Sequence, residues 1–422
     1  MHRTLDDWLA HIERQHGQTI ALGLDRVRSV KAALGQSQSC PVILVGGTNG
    51  KGSTCAMLER ILLCAGYRVG LYTSPHFLRY NERVRIDARP VADAPLCEAF
   101  ARVDAARGDT PLTYFEFGTL AAWEVFAAAR LDAVILEVGL GGRLDAVNIY
   151  EPDCAIVTTV DLDHMVYLGD TREAIGFEKA GIFRPGRAAV CGDPEPPRSL
   201  LEHGAALGAD LQLIGRDFGY RRQEQQWQYW GRAGKRSGLA HPALRGANQL
   251  GNASVALACL DALREALPVA MQDIRRGLAE VELTGRFQVL PGRPTIVLDV
   301  AHNPQAARVL AGNLGDMAFH PETWGVFGML HDKDIAAVIE PLRNRITRWL
   351  PCSLEGPRAA SAEELIQALT AAGVAGPLPA FPTPGAAMSH ALEQAGENDR
   401  IVAFGSFLTV ADVLRTLKRD VL

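Results

Sequence analysis

Residues 40–54 read CPVILVGGTNGKGST, and no other stretch restricts the fold of this chain as tightly. An unbroken apolar run, Val42 to Val45, ends on glycines and passes into a segment of helical spacing. Such a run suits a strand buried on both faces, so its sheet is expected to be largely parallel and covered by helices. The connecting loop gathers Gly46, Gly47, Gly50 and Gly52 around Lys51. Glycines let successive backbone N–H groups converge on phosphate oxygens, and the following helix N-terminus adds a positive field. Lys51 is the cation expected on the terminal phosphates. The pattern G-x-x-x-x-G-K-[ST] is not met literally: its first glycine falls at Val45, and Gly52 takes the hydroxyl position. A plain glycine turn is the alternative; lysine in that place favours a nucleotide site.

Strands and helices alternate around this unit. YRVGLYTSPH (67–76), LDAVILEVGLGG (131–142) and CAIVTTVDLDH (154–164) read as further strands. Helices are expected at about 53–65, 92–107 and 117–129, and an N-terminal helical segment reaches about Leu34, with Leu5, Trp8, Leu9 and Ile12 on one face. Residues 216–243 are polar and aromatic and suggest an antiparallel hairpin or an excursion, followed by a helical region from Asn248 to about Glu280. PTIVLDV, WGVFGML and IVAFGSFLTVADVLRTL restart the alternation, whereas AAGVAGPLPAFPTPGAA reads as loops. Gly285, Pro291, Gly292 and Pro294 cluster at a domain boundary near 283–291. The expectation is an α/β fold in two parts. Residues 1–284 form a P-loop-type, mostly parallel sheet domain, and residues 285–422 a smaller Rossmann-like α/β domain.

Composition removes several function classes. A net charge of −5 leaves no general basic field for nucleic acid. No apolar run reaches the roughly 18 residues of a membrane span, and the charged, amphipathic N-terminus is not a signal peptide. The eight cysteines form no C-x-x-C pair, and several lie in apolar runs such as ILLCAG, which points to reduced thiols and a cytoplasmic protein.

A series of strings falls in order along the chain: GTNGKGST (47–54), TSPH (73–76), TYFEFGT (113–119), EVGLGGRLDAVN (137–148), DHMVYLGDT (163–171), EKAGI (178–182), GRFQ (285–288), DVAHNP (299–304) and FGMLHDKD (327–334). Together they resemble the folylpolyglutamate synthases, relatives of the Mur ligases. TYFEFGT is similar to the bifunctional bacterial members, which also make dihydrofolate. The resemblance implies ATP-dependent ligation of L-glutamate to dihydropteroate and to the γ-carboxylate of tetrahydrofolates, through an acyl phosphate. It implies Mg2+ as cofactor, with a monovalent cation left open, small-molecule partners alone, and a monomer.

The resemblance also nominates residues. Thr48, Asn49, Gly50, Lys51, Gly52, Ser53 and Thr54 would hold ATP, with Asn248, Arg286 and Asp299 completing the nucleotide set. Ser74, Glu137, His164 and, if carbamylated, Lys179 would hold metal. Thr113, Tyr114, Phe115, Leu144, Asp145 and Ala146 match substrate-contacting strings, and His302 and Ser406 are assigned to glutamate. Lys51, Lys179 and His302 are the catalytic candidates, and closure of the domains is expected to bring Arg286 and His302 to the phosphates. Two departures stand out: TGRFQ lacks a proline common in relatives, and ANQLG lacks a histidine before the glutamine.

Each nomination has a plainer counterpart. Glu137 could be a solvated strand-end carboxylate, Lys179 a helix-surface lysine, Phe115 a core residue, and His302 and Ser406 structural loop residues. RYNERVRIDARP holds four arginines, Arg79, Arg83, Arg85 and Arg89, for which a solvated face is the usual explanation; for anionic substrates they could serve as guides, and the sequence selects none. The rival functions are a monofunctional folylpolyglutamate synthase, another Mur-type amino-acid ligase, and a nucleotide-binding regulator without catalysis.

Overall fold

The apolar run before the glycine loop forms strand β1 (Val42–Gly46), every residue of it buried. The structure, a computed structural model, describes residues 3–17, 20–419 and 421. In it β1 joins β2 (Val69–Tyr72), β3 (Val84–Ile86), β4 (Arg89–Pro90), β5 (Ala133–Glu137), β6 (Cys154–Val157), β7 (Ala188–Cys191) and β8 (Asp210–Leu213). The order across this sheet is β4-β3-β2-β5-β1-β6-β7-β8. Strands β2, β5, β1, β6, β7 and β8 run parallel, and β3 and β4 turn back antiparallel at one edge. Parallel strands covered on both faces need apolar side chains throughout, which is why β1, β5 and β6 read as unbroken runs. With β5 and β6 flanking β1, the glycine loop leaves at the carboxyl ends of the central strands, where open α/β sheets bind ligands.

Local chemistry corrects several sequence expectations. The N-terminal helical segment is two helices, Leu5–Glu13 and Asp25–Leu34, the first capped by Thr4. Residues 18 and 19, between them, lie outside the described residues. The helix expected at 117–129 runs Tyr114–Ala128. It starts earlier because Thr113 and Glu116 cap each other: Glu116 N donates to Thr113 Oγ1 at 3.2 Å, and Thr113 N donates to Glu116 Oε2 at 2.8 Å. Residues 216–243 contain three antiparallel strands rather than a hairpin, β9 (Gly219–Arg222), β10 (Gln226–Gly231) and β11 (Gly234–Ala240). Alternation on β10 buries Trp227 and Tyr229, so this sheet is anchored by aromatics. The region from 248 to 280 is two helices, Gln249–Ala262 and Met271–Glu280, with Pro268 in the break. The stretch read as loops near 371–387 includes a helix start, because Pro384 occupies its first turn and Thr383 caps it.

A second sheet has the order β12-β13-β16-β14-β15. Its strands are β12 (Gln288–Leu290), β13 (Thr295–Leu298), β14 (Thr323–Phe327), β15 (Arg348–Pro351) and β16 (Arg400–Phe404), all parallel except β12. The two-residue period splits its core: Val297, Val402 and Phe404 join one apolar cluster, Leu298, Ile401 and Ala403 another. The chain forms two compact units. The first is Met1–His76, Tyr80–Ala243 and Leu250–Val281; the second is Phe77–Arg79, Leu244–Gln249 and Glu282–Leu422. Among the described residues no helix is long and apolar enough to cross a membrane.

Candidate active site

The glycine loop between β1 and the helix Lys51–Cys64 is fastened from the far side by the end of β6. Thr48 N donates to Thr159 O at 2.7 Å, and Asn49 N to Thr159 Oγ1 at 3.1 Å. Thr158 Oγ1 donates to Asn49 O at 2.6 Å, and Thr48 Oγ1 to Asp161 O at 3.1 Å. Gly47, at φ +134°, lies so close to Thr158 that a Cβ there would overlap the threonine hydroxyl. Gly50, at φ +90°, is the residue before the helix, so the first helical amides open onto the loop. Lys51 curls back, its Nζ donating to Gly47 O at 2.9 Å and Thr48 O at 3.1 Å. Gly52 is half-buried, and Ser53 and Thr54 are buried in the first turn.

Next to this loop, β5 ends on Glu137, which is 4% exposed and therefore no solvated strand end. Its Oε2 accepts from Ser74 N at 3.1 Å, so two of the metal candidates are adjacent. Asp145 is buried, with its carboxylate accepting from Leu140 N at 2.8 Å and Val147 N at 3.0 Å. Burial raises its pKa to about 7, against the opposing pull of those amides and of Lys51. Leu144 and Ala146 flank it, half-buried and buried.

Lys179, on the helix Arg172–Ala180, is 4% exposed rather than on the helix surface. Burial lowers its pKa to about 7; Lys51 pushes in the same direction, while Asp163 and Asp145 oppose it. Two amines and two carboxylates thus share one electrostatic neighbourhood. His164, in the left-handed region at φ +52°, precedes the short helix Met165–Leu168 and approaches Asp163 Oδ1 at 3.9 Å. Among the described residues no three His, Cys, Asp or Glu side chains converge as a metal cluster. The donor set still suits magnesium, which takes one or two carboxylates and leaves its other positions to water and phosphate oxygens.

Thr113 is buried at the helix cap, so its hydroxyl is committed to Glu116 N. Tyr114 and Phe115 are half-buried. The Phe115 ring packs on Tyr72 at 5.7 Å and over Gly139, where a Cβ would come within 2.7 Å of it. Burial pushes the Tyr114 hydroxyl up to about 12, with the Arg83 cation opposing.

In the second unit, Asp299 follows β13 and is locked by two amides, from Phe287 N at 2.9 Å and Ala301 N at 2.8 Å. Burial raises its pKa to about 6, with Arg286 the largest opposing influence. The Arg286 guanidinium lies 5.1 Å over the Phe407 ring. His302 Nδ1 pairs with Val300 O at 2.7 Å. Ser406 is buried and caps the helix Phe407–Thr416 by accepting from Leu408 N at 3.1 Å. Asn248 is exposed in a turn before Gln249.

Sequence reasoning passed over Thr158, Thr159, Asp161 and Asp163. Their signal was a run of hydroxyls and carboxylates directly after a buried strand, TTVDLD, in register with the glycine loop.

Comparison with known proteins gives the family of the chain. Residues 45–192 match the Mur ligase middle domain, and residues 285–407 the Mur ligase glutamate ligase domain. The chain is 43% identical to the dihydrofolate synthase/folylpolyglutamate synthase of Escherichia coli K12 over 98% of its own length and 95% of that protein's. A solved structure of E. coli FolC in complex with DHPP and ADP superposes with a TM-score of 0.94 at 42% identity, covering 99% of this chain and 98% of that one. A bifunctional folylpolyglutamate synthase/dihydrofolate synthase with Mn, AMPPNP and L-glutamate bound gives a TM-score of 0.91 at 43% identity, covering 99% and 98%.

Proposed function

The chain belongs to the Mur ligase family, among the dihydrofolate synthase/folylpolyglutamate synthases, and on that premise we propose which of its residues carry the chemistry. It is an ATP-dependent ligase that joins L-glutamate to dihydropteroate and to the γ-carboxylate of tetrahydrofolates. A carboxylate is a poor electrophile, so the acid first takes the γ-phosphoryl group of ATP to become an acyl phosphate. The glutamate amine then attacks, and phosphate leaves from the tetrahedral intermediate.

The amides of Thr48 to Thr54 cradle the triphosphate, and Lys51 exchanges its loop carbonyls for the terminal phosphates. Ser74 and Glu137 hold magnesium, which when bound offsets the charge between the phosphates and the attacking carboxylate. His164 and carbamylated Lys179 hold a second ion. A buried amine with a pKa near 7 has a substantial neutral fraction at physiological pH, as carbamate formation requires. Thr113, Tyr114, Phe115, Leu144, Asp145 and Ala146 bind the pterin-bearing acid, the aromatic rings offering faces to a flat heterocycle. Asn248, Arg286 and Asp299 serve ATP, and His302 and Ser406 serve glutamate. Five of the eight cysteines are buried as small hydrophobes, a use of cysteine that suits a cytoplasmic protein.

The observation that carries this reading is the gathering of Lys51, Lys179, Asp145 and Asp163 beside the glycine loop. Phosphate release from ATP tests it. Release is expected only when a pterin-linked acid and glutamate are both present, and Lys51→Ala and Glu137→Ala should each abolish it for dihydropteroate and for tetrahydrofolate. Near-normal turnover by either variant removes that residue from the mechanism.

A further inference from the structure

Four arginines crowd the segment 79–90, and their surroundings now separate them. Arg85 is committed to the buried carboxylate of Glu59. Arg89 is exposed on the edge strand β4. Arg79 belongs to the second unit and has contacts of its own. Arg83 differs from all three. Its guanidinium carbon lies 5.5 Å over the Tyr80 ring and 5.4 Å over the Tyr114 ring. Its Nε donates to His76 Nδ1 at 2.8 Å. Among the described residues no carboxylate stands within salt-bridge reach of it, and besides His76 its polar neighbour is the buried Tyr72 hydroxyl.

The backbone fixes where this cation sits. Thr73 N donates to Arg83 O at 2.9 Å, one residue before Ser74, whose own N reaches Glu137. Tyr114, one of the two rings beneath the guanidinium, belongs to the Thr113–Phe115 string assigned above to the pterin-bearing acid. Stacking on aromatic faces holds a guanidinium plane in place while leaving its edge free. A half-buried cation without a carboxylate partner is electrostatically incomplete, and a ligand carboxylate would complete it through two parallel N–H···O bonds.

We propose that Arg83 recognises a carboxylate of the acceptor acid, its terminal nitrogens forming the fork that distinguishes an acid from an uncharged analogue. This rests on the ligase reading above and adds a substrate-binding residue to it. Arg83 orients the acid beside Ser74 and Glu137, and the tyrosines hold the guanidinium ready before the acid arrives.

The test compares dihydropteroate with its primary carboxamide, titrated by tryptophan fluorescence against the wild-type protein, Arg83→Gln and Arg83→Lys. Affinity for an ATP analogue serves as the check on folding. The wild type is expected to prefer the acid by roughly 10- to 100-fold, the worth of a charge-assisted pair. Arg83→Gln should weaken the acid to the level of the amide and leave the amide where it was. Arg83→Lys keeps the charge without the planar fork; it should keep part of the preference, and it carries the test if the glutamine variant does not fold. An unchanged acid preference in both variants, or equal weakening of both ligands, overturns the proposal. Failure of the wild type to bind either compound overturns the ligase reading itself.

Discussion

Lys179→Met gives the sharpest account of how much the buried amine costs. Lys179 is 4% exposed, and burial together with nearby Lys51 brings its pKa from 10.5 down to about 7. At 1.36 kcal/mol per pH unit that displacement amounts to about 5 kcal/mol of folding free energy. The sign follows from proton counting. Between about pH 7 and 10.5 the unfolded chain holds the proton and the folded chain does not, so stability rises with pH across that window. Below pH 7 both states are protonated and the whole cost is present; above 10.5 it has vanished. Methionine is of similar length and carries no charge. Urea unfolding in metal-free, carbon-dioxide-depleted buffer should therefore find Lys179→Met more stable than wild type at pH 6, by up to about 5 kcal/mol, with the gap narrowing steadily toward pH 10. Parallel pH profiles, or a methionine variant that is less stable at pH 6, would refute the reasoning. The same lowered pKa makes carbamate formation feasible, and 13C-labelled bicarbonate should give a carbamate resonance in wild type that the variant lacks.

Three other perturbations follow from the geometry. Gly47→Ala places a Cβ against Thr158 at a left-handed φ, and should cost about 2 kcal/mol or more and remove the thermal stabilisation normally given by an ATP analogue. Asp299→Asn exchanges one of two amide-bound carboxylate oxygens for an NH2 group facing Phe287 N or Ala301 N; a loss of about 1–3 kcal/mol is expected in urea unfolding. Glu116 receives both Arg26 Nη2 at 3.0 Å and Thr113 N at 2.8 Å. Glu116→Gln should raise KM for dihydropteroate while leaving KM for ATP and glutamate near wild type, and steady-state kinetics with each substrate varied separately check it.

What the sequence disclosed was mostly local. The glycine loop, the buried parallel strands and the strand-turn-helix at 400–416 are written in consecutive residues, so periodicity and turn chemistry expose them. The helix start at Tyr114 was misplaced by three residues although its signal, Thr113 three residues before Glu116, is also local. Other features depend on residues distant in sequence. Thr158 and Thr159 clamp a loop 109 and 110 positions away; the run TTVDLD marks them as polar residues after a buried strand but does not record that pairing. Lys179 sits in EKAG, which reads as helix surface, and only the packing around the helix Arg172–Ala180 buries it. Residues 77–79 and 244–249 fall with the second unit, although nothing in their composition marks them off from their neighbours. Among the four arginines, Arg83 is distinguished by what surrounds it: two tyrosine rings, a histidine and no carboxylate.

The central claim is that the acceptor acid is activated by direct transfer of phosphate onto its carboxylate. Dihydropteroate labelled with 18O in both carboxylate oxygens, incubated with ATP, magnesium and L-glutamate, reports on this directly. The account predicts that each released inorganic phosphate carries one 18O, with the other retained in the new amide. Unlabelled phosphate formed alongside labelled dihydrofolate would contradict it.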